Sequence, residues 1–130
     1  MKTRGEGPIQ HFTDAAGVRG ITGLETNTLQ IGQPVEVVAL SFGQGANTFL
    51  AGSAGDIFVT EIGPFATTGQ LQQIGVFGDK QNYVIEFSRE SVFRNNARLT
   101  PLFPARGIYG LPAGTRLDHA DYLYTVTRRQ

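Results

Sequence analysis

The chain has 130 residues, 40 % hydrophobic and only 17 % charged, with no cysteine and a formal net charge of zero. This excludes a disulfide framework, a thiolate metal site and a cysteine nucleophile. It also argues against a disordered chain, which needs high charge and few apolar residues.

One domain is the expected content of such a length. No apolar run reaches the ~20 residues needed to cross a bilayer as a helix, and the first residues lack the apolar core of a signal peptide. A soluble protein made in the cytoplasm, without a membrane partner, is expected.

In chain order, residues 1–17 (MKTRGEGPIQHFTDAAG) read as a loose polar N-terminal arm, with FTDAAG as a turn. Residues 18–130 read as one β domain, because short apolar runs are broken by glycine or proline about every ten residues. RGITGLETNTLQIG (19–32) is assigned two short strands. QPVEVVALSF (33–42) reads as one strand, opened by Pro34 and apolar on both faces, hence central or bulged.

GQGAN (43–47) is a loop, TFLAG (48–52) a short returning strand and SAGD (53–56) a turn. DIFVTEIG (56–63), QLQQIGVFG (70–78) and YVIEFS (83–88) read as strands. SRESVFRNNARL (88–99) is the one place for a short helix, with Ser88 as N-cap and Glu90 near the positive end. TPLFPARG (100–107) reads as an extended crossing, IYGLPAGT (108–115) contains a turn, and DYLYTVT (121–127) closes the chain as a strand. The expected fold is all-β, a single-domain β-sandwich or β-barrel with at most one short helix.

Motifs for chemistry are sparse. FGQGANT (42–48) lacks the third glycine and the following helix of a dinucleotide loop. Ser53 in AGSAG has the wrong spacing for a nucleophile elbow. Asp118, His119 and Asp121 carry metal-ligand chemistry, but Asp118 and Asp121 fall on opposite faces of an extended strand and only His11 offers a second imidazole. The plainer reading is a turn feeding the last strand. No catalytic residue, metal or cofactor is assigned.

Charge is unevenly distributed. Residues 1–88 hold four basic against eight acidic residues, and residues 89–130 hold seven arginines against three acids, so the halves carry −4 and +4. This fits internal pairing or head-to-tail contact between copies. Zero net charge and only two lysines argue against a nucleic-acid partner.

The polar arm, the Gly- and Thr-rich β domain, the absence of cysteine and the LPAGT turn (111–115) before a closing strand together resemble small virion proteins of tailed bacteriophages, of the capsid decoration or cement kind. The resemblance implies a non-enzymatic structural protein of the virion. It would self-associate as dimers or trimers and bind the major capsid protein across joints between subunits, with its arm laid along a neighbour.

Contact residues are expected among the arginines and tyrosines: Arg4, Arg94, Arg98, Arg106, Tyr109, Tyr122, Tyr124, Arg128 and Arg129. A head–tail or tail component is the nearest alternative. A carbohydrate-binding module using Tyr109, Tyr122 and Tyr124, or a small enzyme using His119, are the others.

Overall fold

The segment Pro8–Thr13 alternates side chains across a strand, and every residue after Pro8 is buried. Polar Gln10 and His11 therefore lie inside the protein, and each has found a partner there. Gln10 Nε2 donates to Glu86 at 2.8 Å and its Oε1 accepts from Gly63 N–H at 2.7 Å. His11 Nδ1 donates to the Phe58 carbonyl at 2.7 Å. This segment is the central strand of the fold in a computed structural model that describes residues 7–43, 56–118 and 124–130.

The strands are β1 (Pro8–Thr13), β2 (Val35–Val37), β3 (Leu40–Ser41), β4 (Asp56–Thr60), β5 (Tyr83–Ser88), β6 (Thr100–Phe103), β7 (Ile108–Pro112), β8 (Arg116–Leu117) and β9 (Tyr124–Arg128). Seven form one sheet in the order β2-β9-β5-β1-β4-β7-β6, and β3 pairs with β8 in a separate ribbon. Every pairing between named strands is antiparallel. The protein is thus mostly β, and the described residues add three short helices: α1 (Ala15–Thr22), α2 (Thr68–Gln73) and α3 (Arg89–Arg94).

Opposed residues in an antiparallel ladder share a face. Ile9 lies opposite Phe87, and Ile85 opposite both His11 and Val126. Ile57 and Val59 lie opposite Leu111 and Tyr109. This face is covered by Val18 and Ile21 of α1, Leu40 and Leu117 of the ribbon, Phe42, and Val92 of α3. The other face presents Phe12, Phe58, Val84 and Ile108, covered by Leu71 of α2 with Ala66 and Val76. A sheet buried on both faces has strands that do not alternate cleanly.

Several expectations need correction. Residues 8–17 are not an arm, because β1 sits between β5 and β4 and α1 packs on the sheet. Among the described residues the α-helices number three, where at most one was expected. Residues 19–32 form most of α1 and a 3-10 turn at Thr26–Thr28 instead of two strands. α1 is capped by Asp14, whose carboxylate accepts from Gly17 N–H, and stopped by Gly23 at φ 79°; both are ordinary boundary signals.

QLQQ is not a strand but the body of α2. Thr67 and Gln70 satisfy each other's backbone N–H groups in a capping box. The run 33–42 divides into β2 and β3 at a bend. Val38 turns out to solvent there, and the change of pleat sends Val37, Leu40 and Phe42 into one core. TPLF is an edge strand with a register shift after Pro101.

The helix expected at Ser88 forms, with the Ser88 hydroxyl accepting from Ser91 N–H at 3.0 Å. It gives way near Asn96, whose φ of 58° an asparagine tolerates. The strand and turns expected within 44–55, and residues 121–123 of the last strand, lie outside the described residues.

Candidate interaction surface

The covering layer on the α2 side ends before the sheet does. β9 and β2 are covered on one face only, leaving Glu36 exposed and Thr125 and Thr127 half-buried. A groove of about 190 Å³ runs there between these threonines, Glu86, Pro34, Pro64 and Phe65. It continues into a shallower hollow of about 260 Å³ beside Ile31, Arg128 and Arg129. Its lip holds two large apolar side chains in water: Phe65, 88 % exposed, and Ile31, 61 % exposed.

The loop that carries Phe65 is fastened. Arg129 Nη1 donates to the Pro64 carbonyl at 2.7 Å and Nη2 to the Ala66 carbonyl at 2.6 Å, so one guanidinium grips the residues on either side of Phe65. Arg129 Nε donates to the Gln81 carbonyl at 3.0 Å, and the group lies over the Phe12 ring at 5.3 Å. Burial lowers the Arg129 pKa from its ordinary value. Gly63 N–H is held by Gln10 and Ile62 N–H by Thr60 Oγ1. An aromatic side chain carried outward on a fastened backbone needs little loop ordering on binding, which suits an interface anchor.

The sequence-selected residues fall into different places. Arg129 acts within the chain, as the clamp. Arg128 donates to the carbonyls of Gln130 and Leu29 at 2.9 and 3.4 Å. Tyr124 has no exposure, which removes it from any outer surface. Tyr109 is 9 % exposed, under the Arg89 guanidinium at 4.6 Å, and its hydroxyl lies 3.4 Å from Glu61. Burial opposes the charge of Arg89, but Tyr109 and the ion-paired Glu61 beside it raise its pKa.

Arg94 pairs with Glu90 one turn earlier on α3. Arg98 and Arg106 are exposed at the two ends of β6. Arg4 and Tyr122 lie outside the described residues. So do His119 and Asp121, while Asp118 accepts from Arg116 Nε at 3.0 Å. The described residues hold no group of three or more His, Cys, Asp or Glu able to bind a metal, and no helix long and apolar enough to cross a membrane.

Sequence reasoning missed Phe65, Ile31 and the groove. PFA between a glycine and two threonines was legible as a connection, but nothing local says whether a loop phenylalanine points in or out. No protein-family model, curated protein or solved structure matches the chain.

Proposed function

We propose that the chain is a non-enzymatic structural protein of a virion, of the capsid decoration or cement kind, made in the host cytoplasm and acting by docking on other protein subunits. The observation that carries this reading is Phe65, an aromatic anchor held out by Arg129 at the mouth of an apolar groove. A monomer that kept such a residue in water would gain nothing from it, whereas a subunit of an assembly gains a preordered contact.

The finer fold belongs to the same reading. α1, α3 and the β3–β8 ribbon lie over one face of the sheet as a second layer, which favours a sandwich over a barrel. A carbohydrate platform loses support, because Tyr124 and Tyr109 are withdrawn into the interior.

The test is co-sedimentation with assembled capsids of the phage that encodes the chain. The wild type is expected to pellet with them. Phe65→Ser is expected to keep its melting temperature, since the ring touches mostly water, and to stay in the supernatant. A wild type that ignores the capsid overturns the reading.

A further inference from the structure

Edges β2 and β6 end the same sheet, six strand spacings apart, or about 29 Å along its surface. The β2 end carries exposed Glu36 beside the Phe65 groove, with Val38 exposed just past the strand. The β6 end carries exposed Arg98 and Arg106, one before and one after the strand, and half-exposed Phe103. Among the described residues, Glu36, Arg98 and Arg106 engage no partner. At that separation along the sheet the carboxylate and the guanidiniums of one chain do not satisfy each other.

We propose that the protein seated in the Phe65 groove is a second copy of this chain, presenting its β6 end, so that copies join head to tail. The inference rests on the docking role proposed above and names the occupant of its groove. Charge decides between the possible self-contacts. Two β6 ends together would oppose four arginines, and two β2 ends would oppose carboxylates; only unlike ends are complementary.

Backbone pairing is not the mode of joining. Pro101 removes an N–H donor from β6, its register shifts after that residue, and β2 is three residues long behind Pro34. The contact is therefore made by side chains: Phe103 against the apolar groove and the arginines toward Glu36. A head-to-tail contact cannot close as a dimer. It closes as a ring of three or more copies, or stays open as a filament.

The test is charge exchange, read by sedimentation equilibrium at low salt. The wild type is expected to form a species of three or more copies. Glu36→Arg alone makes both ends basic, and Arg98→Glu with Arg106→Glu makes both ends acidic. Each variant is expected to associate at least about 100-fold more weakly. Mixed in equal amounts, they regain association by alternating, because each junction between unlike variants is again complementary; a closed ring of the mixture then holds an even number of copies.

Should a reversal fail to fold, Glu36→Gln and Arg106→Gln probe the same contact, with weaker association expected from each. A wild-type monomer at the highest soluble concentration, a two-fold dimer, or a mixture that stays monomeric overturns the proposal. If copies do not join but Phe65→Ser still loses the capsid, the groove serves another protein; this inference then falls and the docking role stands.

Discussion

His11 shows how burial alone alters a side chain. Its Nδ1 hydrogen is committed to the Phe58 carbonyl, its Nε2 has no hydrogen-bond partner, and the Phe42 ring stands edge-on at 5.6 Å. Burial drives the imidazole pKa down from 6.5 to about 4, against the upward pull of the Phe58 carbonyl. Between those two values the unfolded chain binds a proton that the folded chain refuses. Stability is therefore full above the unfolded value and declines as pH falls through the window.

Urea unfolding is expected to show a loss of about 2–3 kcal/mol from this group between about pH 7.5 and about pH 4.5. The loss should shrink by that amount in His11→Gln, which does not titrate. Asp14 acts at lower pH. Burial works to raise its pKa, but Gly17 N–H and the Lys80 ammonium hold it below 3.8, so its contribution is lost only as pH falls further. Gly107 is a second residue set by its surroundings. At φ 71°, with an added Cβ meeting Glu61 at 3.2 Å, Gly107→Ala is expected to cost about 1–2 kcal/mol in denaturant melts.

At the scale of elements, β1 and the loop 62–66 depend on each other and on β9. Gln10 on β1 holds Gly63, and Arg129 just past β9 holds Pro64 and Ala66. Deleting residues 1–17 removes a strand between β5 and β4. The remainder is expected to lose cooperative unfolding by calorimetry instead of behaving as a trimmed domain.

Arg129→Met keeps the aliphatic stem but leaves the carbonyls of Pro64, Ala66 and Gln81 unmet. A loss of about 2–3 kcal/mol is expected, with faster amide hydrogen exchange at residues 62–66. Thr67→Ala should remove one arm of the capping box, at about 1 kcal/mol in thermal or urea melts. The caps of all three helices were legible as Asp14, Thr67 and Ser88. Two of these caps open helices with no visible apolar period, because the glycines of α1 and the glutamines of α2 leave a stripe of only one or two buried apolar residues. β1 was hidden for a different reason. A strand buried on both faces that carries Gln and His looks polar until its partners, 47 to 76 residues away, are known.

Across the whole molecule, the chain's charge asymmetry finds a geometric expression in the sheet. Among the described residues, Glu36 sits without a partner at one edge, and Arg98 and Arg106 without one at the other. Joining of copies by these ends should weaken steeply with salt, since the paired groups are solvent-exposed. Sedimentation in rising sodium chloride checks this, and a salt-independent assembly would point to the apolar groove alone.

Length, composition and glycine spacing by themselves determined a mostly β fold, the Ser88 helix, the strands at 56–60 and 83–88, the turn at 113–114 and the uneven charge. These follow from local preference and period, which need no distant partner. Only the tertiary structure decided that residues 9–13 are core, that Tyr124 is inside and Phe65 outside, and that Arg129 is a clamp instead of a contact. Each of those depends on which strand lies beside which and where the covering layer stops, and both are set by contacts between residues far apart in the chain.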